Sequence, residues 1–259
     1  RMFDTHCHLD KLFDSFIPLH SSTDSIASSI PQDLNDSCHY YLSVSTSISD
    51  WQSVLQISSR FEHVYAAIGL HPWFVTKESL TTLDELSNLV YGNDIHAVGE
   101  IGLDFSNKYK VNSELQLEAF TKQLAIAQQF DLPVSMHIVK SHNEALDELK
   151  KVAVKGVVHG LGTSVEMAQN YVDLGLKIGV NGVVVRENAV RYHHLVKYFG
   201  LEHIVLETDY PNVKLPGLVT CQLEDINTIA NTVATMLNTS IDDVIQSTDN
   251  NAKKLFNLE

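Results

Sequence analysis

Arginine is scarce in this 259-residue chain. Arg1, Arg60, Arg186 and Arg191 are the only ones among 18 basic residues, set against 32 acidic residues, and the formal net charge is −14. A protein that grips long nucleic acid by its backbone carries a basic stripe that displaces counterions. No such run occurs here, which argues against extended duplex binding. Cysteine is scarcer still: Cys7, Cys38 and Cys221 are odd in number and form no Cys-x-x-Cys pair. That speaks against a disulfide scaffold or a thiolate zinc site and fits a reducing cytoplasm. Apolar runs stay well short of the roughly 20 residues of a membrane span, and the start of the chain lacks a signal-peptide pattern. Repeats, linkers and low-complexity tracts are missing too, and nothing points to an obligate protein partner. With 44% hydrophobic and 19% charged residues there is material for a large core. The length suits one α/β barrel of roughly 250 residues, so the expectation is a single domain over residues 1–259.

What the chain does have is an alternation of short apolar runs with longer amphipathic segments. Strand-like runs lie at 2–6, 40–44, 64–69, 95–99, 133–137, 156–159, 177–180 and 203–207. Eight is the count of a (β/α)8 TIM barrel. Helical patterns lie between them, at 113–130, 143–152, 164–174 and 223–237. In the first, Leu117, Phe120, Leu124 and Ala127 recur at three- and four-residue steps. A last helix, 241–247, is opened by Ser240 with Asp243 in capping-box spacing. Residues 10–36, rich in Ser and Asp, read as a long loop at the barrel mouth with a helical turn near 21–29.

Ligand-type residues fall at the ends of the strand-like runs. His6 and His8 are two apart, so on a strand both imidazoles share a face, while Cys7 between them points away. Glu100, His137, His159 and Asp209 each end or closely follow another apolar run. In a parallel barrel these ends converge on one catalytic face. A single histidine at a strand end is ordinarily a satisfied polar residue, but five strand ends carrying such residues together point to a metal site. Imidazole and carboxylate suit Zn, Mg, Mn or Fe. Four histidines and two carboxylates are too many for one tetrahedral ion with an open position. Two divalent ions sharing Glu100, about 3.5–4 Å apart, is the economical arrangement.

The motifs Phe3-Asp-Thr-His-Cys-His-Leu-Asp10, Gly69-Leu-His-Pro72, Gly99-Glu-Ile-Gly-Leu-Asp104, Leu132-Pro-Val-Ser-Met-His137, His159-Gly and Glu207-Thr-Asp209, with the ending Asn251-Ala-Lys-Lys-Leu-Phe-Asn257, resemble the signatures of TatD-type metal-dependent deoxyribonucleases, within the amidohydrolase-like barrels and nearest a YjjV-like branch. The resemblance implies that His6, His8 and Asp209 bind one metal, that Glu100 bridges, and that His137 and His159 hold the second. Water activated at neutral pH would then attack phosphorus, with Asp209 orienting it or taking its proton; Glu100 and Asp209 are the catalytic pair. The implied substrate is short or single-stranded DNA or another small phosphoester. His71 is assigned to the rim of the site and Glu207 to support behind the ligands. Asp104 could line the pocket or cap a helix. Asp4 could hydrogen-bond a ligand or simply be a buried polar group. His20, His39, His63, His96 and His203, in loops or at strand starts, are assigned no role.

The substrate shell departs from the family pattern. Ile138-Val139 stands where Ser-Arg is usual, and Lys140 or His142 would replace a bidentate phosphate clamp only imperfectly. His159-Gly160-Leu161 replaces His-x-Phe. Asp209-Tyr210-Pro211 replaces Asp-Ala-Pro, which is expected to put the Tyr210 ring near the metals. An amidohydrolase-like enzyme acting on a small ester, amide or phosphoester is the alternative, and a non-catalytic metal-binding protein is a second.

Overall fold

Eight strands run parallel in chain order, each bonded to the next: β1 (Phe3–Cys7), β2 (Tyr40–Val44), β3 (Val64–Ile68), β4 (Ala97–Asp104), β5 (Val134–Val139), β6 (Gly156–Val158), β7 (Lys177–Val180) and β8 (Ile204–Leu206). The computed structural model describes residues 2–14, 34 and 39–258, so the expected turn near 21–29, His20 and Cys38 lie outside the described residues. The first strand meets the last through the segment just past β8. Asp209 N donates to His6 O and His8 N donates to Tyr210 O, both at 2.9 Å. The barrel is therefore drawn together by the same residues that carry three of the candidate ligands.

Among the described residues, the helices between and after the strands are α1 (Asp10–Asp14), α2 (Ile48–Arg60), α3 (Lys77–Leu80), α4 (Leu83–Gly92), α5 (Ser113–Gln129), α6 (His142–Leu149), α7 (Val165–Asp173), α8 (Val190–Phe199), α9 (Asp225–Leu237) and α10 (Ile241–Leu255). None of the described helices is long and apolar enough to cross a membrane. On α5 the buried face carries Phe120, Leu124 and Ala127 as the spacing predicts, but Gln116 and Gln123 are buried with them. These two glutamines are seven residues apart, hence on one face. Gln123 brackets the backbone of Leu70, accepting from its N at 2.7 Å and donating to its O at 3.1 Å. Gln116 does the same for Asp104, at 2.8 and 3.1 Å. One helix thus fastens the backbone beside His71 and at Asp104.

Two elements outrun the expected bounds by five residues or more. The fourth strand continues past 99 to Asp104, buried throughout, with a register shift between Gly99 and Ile101 that leaves Glu100 as the extra residue of a bulge. Bulges re-aim a side chain, and here the side chain is a carboxylate. Beyond it, Gly102 (φ 151°) approaches β5 so closely that a Cβ would overlap the His137 carbonyl. Glu100, Gly102 and Asp104 interrupt the apolar pattern past 99, so an apolar run alone does not mark the end of this strand. Helix α10 runs eight residues beyond 247 because Val244, Thr248, Ala252 and Leu255 keep one face buried, two of them small or polar.

Candidate metal centre

His6 lies in β1 and His8 one residue beyond it, Glu100 sits at the bulge of β4, His137 in β5, His159 directly after β6, and Asp209 three residues after β8. All six side chains meet at the C-terminal mouth, at most 14% exposed. Glu100 is their centre. Its Oε1 faces His6 Nε2 at 3.4 Å and His8 Nε2 at 3.6 Å. Its Oε2 faces His71 Nε2 at 3.4 Å, His137 Nδ1 at 3.5 Å and His159 Nε2 at 4.0 Å. Asp209 is divided in the same way: Oδ1 lies 3.6 Å from His6 and 3.5 Å from His8, and Oδ2 lies 3.6 Å from His159.

Most of these separations exceed a good hydrogen bond. They match the spacing of about 3.4 Å between neighbouring ligands of a tetrahedral ion bound at 2.0–2.1 Å. His6 Nε2 is fully buried without a hydrogen-bond partner, an arrangement that costs free energy unless a cation meets the lone pair. The donor set and its spacing therefore fit metal ions.

Partners behind the imidazoles fix which nitrogen faces inward. His159 Nδ1 lies 2.8 Å from Glu207 Oε1, and His137 Nε2 lies 2.8 Å from Asp104 Oδ2. His6 Nδ1 lies 3.0 Å from Ser135 Oγ. An N–H donated outward in each case leaves a bare inner nitrogen for a cation. Glu207 also accepts from Gly160 N, and it fits under β7 because a Cβ at Gly179 would fall 2.6 Å from its Oε2. Asp104 neither lines the cleft nor caps a helix: it stands behind His137 and also accepts from Trp73 Nε1 at 2.8 Å.

His71 is not at the rim. It is 4% exposed and within the cluster. Its Nδ1 accepts from Trp73 N at 3.1 Å, which puts the ring proton on Nε2, facing Glu100. A ligand needs a lone pair there, so His71 is built as a donor to the cluster. Asp4, fully buried, accepts from Thr208 N at 3.0 Å, Thr208 Oγ1 at 2.6 Å and His6 N at 3.3 Å, and so ties the two closing segments together. Asp209 itself has φ 52°, a left-handed conformation costly for a residue with a Cβ. Its carbonyl accepts from Asn212 N at 2.7 Å and its Oδ1 from Asn212 Nδ2 at 3.2 Å.

The expectation for Tyr210 fails. Tyr210 is partly buried against an apolar cluster that includes Cys7, Leu9 and Leu223, and it is not among the residues lining the cleft. Pro211 and Asn212 line the cleft in its place, with Lys11, Thr46, Trp73 and Phe74. Lys140 and His142 are not among the lining residues. Ser135, the two α5 glutamines and Trp73 had escaped a reading that sought titratable residues at strand ends. The one available signal was the unusual aromatic pair directly after His71-Pro72.

Electrostatics follow from this crowding. Burial would raise the Glu100 carboxyl, but His71, His6 and His137 hold it well below the carboxylate range. Asp209 is likewise buried yet drawn down to about 2, chiefly by His159 and His8. Burial alone would depress His159, but Glu207 and Asp209 lift it to about 10. Burial prevails at His71, which is lowered although Glu100 opposes the shift. Burial also pushes Asp4 up to about 7 against its hydrogen bonds to Thr208 and His6.

Similarity to known proteins agrees with this geometry. The model of the TatD related DNase family matches residues 3–257. The uncharacterized metal-dependent hydrolase YjjV of Escherichia coli is 29% identical over 264 residues, spanning 100% of this chain and 98% of that one. An uncharacterized metal-dependent hydrolase of Haemophilus influenzae is 32% identical over 225 residues, 83% of each. The crystal structure of the TatD homologue YjjV superposes with a TM-score of 0.84 at 28% identity, covering 100% of this chain and 98% of its own. Fold, cluster and sequence converge, and the chain belongs to the TatD family of metal-dependent hydrolases.

Proposed function

We propose that this hydrolase cleaves phosphodiester bonds in single-stranded or end-exposed DNA, using two divalent cations. One observation carries the reading: the oxygens of Glu100 face separate sets of histidines, the arrangement of a carboxylate shared between two ions. His6, His8 and Asp209 would hold one cation and His137 with His159 the other. Four imidazoles favour Zn, Mn or Fe over Mg. When bound, the cations supply Lewis acidity and make water nucleophilic at neutral pH. Asp209, held anionic, is better suited to orienting that water than to keeping its proton. The His71 Nε2–H faces Glu100 Oε2 and helps to hold that carboxylate in place, and Asp104 and Glu207 keep their imidazoles aimed. A cleft of about 380 Å³ admits one or two phosphates at a time, consistent with an acidic protein that does not track a duplex.

A small carboxylic ester, amide or phosphoester is the second reading, favoured by one feature: Lys11 is the one Lys or Arg among the described residues lining the cleft. A labelled oligonucleotide assayed beside a panel of small esters, with and without EDTA, decides. Cleavage of the oligonucleotide, abolished by EDTA and restored by Mn or Zn, is expected. Turnover confined to the carboxylic esters would overturn the nuclease reading.

A further inference from the structure

We infer that Trp73 and Phe74 form a stacking wall that receives a nucleobase adjoining the scissile phosphate; the inference rests on the phosphodiester reading and names the part of the substrate beside the metals. The two rings follow His71 in a 3-10 turn, Pro72–Phe74, and each is 47% exposed while lining the cleft. The other tryptophan, Trp51, is fully buried. Leaving two large apolar rings half in water beside a polar cluster forfeits burial, and a ligand that covers them recovers it.

Trp73 is also held rigid. Its Nε1 donates to Asp104 Oδ2 at 2.8 Å, and its ring stacks on Tyr109, with centroids 4.9 Å apart and planes 10° apart. His71 and His137 stand edge-on to it at 4.9 and 5.6 Å. A wall so fixed loses little conformational entropy when a ligand arrives. It also lies next to His137, so a phosphate at the cluster would place its attached base one sugar away. A flexible acyl chain gains from any apolar wall. A flat ring locked in orientation is suited to a flat partner, and every nucleobase offers a π-face whatever its sequence. The wall carries no charge, which suits a base rather than a second phosphate.

The test compares the affinity of the metal-loaded full chain for thymidine 5′-monophosphate and for 2-deoxyribose 5-phosphate, which share phosphate and sugar and differ by the base. The expected preference for the nucleotide is about five- to a hundredfold. Trp73→Ala brings the ratio towards one, Phe74→Ala lowers it less, and Trp73→Phe restores most of it. Loss of the Trp73–Asp104 hydrogen bond would weaken both ligands together and leave the ratio in place, so the ratio separates stacking from mere support of His137. Equal affinities in the wild type, or an unchanged ratio in Trp73→Ala, overturn the stacking wall. The oligonucleotide assay runs in parallel. Cleavage with a flat ratio removes the wall and keeps the nuclease reading; a Trp73-dependent ratio without cleavage keeps the wall and removes that reading.

Discussion

The two ends of the barrel both gather histidines, but burial lowers His39 and His96 at one end, whereas at the other His8, His137 and His159 are raised and His71 is lowered. At the N-terminal end, His39 Nδ1 accepts from Met2 N, His63 stands edge-on to Tyr40 at 5.1 Å, and His96 edge-on to Tyr65 at 4.8 Å. Phe3 stacks there on Tyr40, Tyr65 and Phe256 at 5.7–5.9 Å. Partial burial lowers His39 and His96, as expected for a cation leaving water. At the C-terminal mouth, His8, His137 and His159 are more deeply buried and yet raised. The difference is carboxylate. Glu100, Asp104, Glu207 and Asp209 crowd the mouth, and their charge outweighs desolvation at these three, though not at His71. Burial does not mark the site; compressed opposing charge does.

Replacing the shared carboxylate should break the contrast most severely. Glu100→Gln keeps the shape and removes the charge that both histidine sets face. Metal content should fall, and kcat/KM should drop by about 10³-fold, the equivalent of several kcal/mol of transition-state stabilisation. Elemental analysis of the purified variant and initial rates on the oligonucleotide check this. Wild-type metal content with wild-type rates would show that Glu100 does not join two cations.

A smaller loss separates the ends of the barrel from each other. Glu207→Gln and Asp104→Asn sit behind His159 and His137 and should each cost about 10–100-fold in metal affinity or activity. Asp249→Asn, behind Phe3 at the far end, should leave kcat/KM at the wild-type value. Metal titrations of the three variants side by side provide the comparison, and equal losses at both ends would mean that the carboxylates serve the fold rather than the ligands.

The strand pattern and the clustering of the six candidate side chains were legible because a parallel barrel buries its strands on both faces and ends them at one mouth, so apolar runs that stop at His, Glu or Asp reveal both fold and cluster. What could not be read were features created by backbone geometry. The Glu100 bulge adds a residue that no periodicity announces. Asp209 takes a left-handed conformation, and Tyr210 after it packs against an apolar cluster instead of lining the cleft. The His71 tautomer is set by a neighbouring backbone N–H. Gln116 and Gln123 look like solvent-facing helix residues until the backbone they bracket, at Asp104 and Leu70, is in place.

The mildest prediction concerns the quiet end. Asp249 Oδ1 accepts from Phe3 N at 2.8 Å and is buried, so burial raises its carboxyl even though that hydrogen bond and Lys253 oppose it. A folded-state value above the unfolded one means that the carboxyl's contribution to stability is complete below the ordinary aspartate range, near pH 3.8, and is lost as pH climbs through the folded value. Asp249→Asn retains an acceptor for Phe3 N and cannot ionise. Its melting temperature should exceed that of the wild type near pH 8 by about 1–2 °C, and the two curves should merge towards pH 3. Calorimetry across that range is sufficient. A variant that instead melts lower at pH 8 would show that the charged hydrogen bond to Phe3 outweighs burial, and that carboxylates govern this end of the barrel as they govern the other.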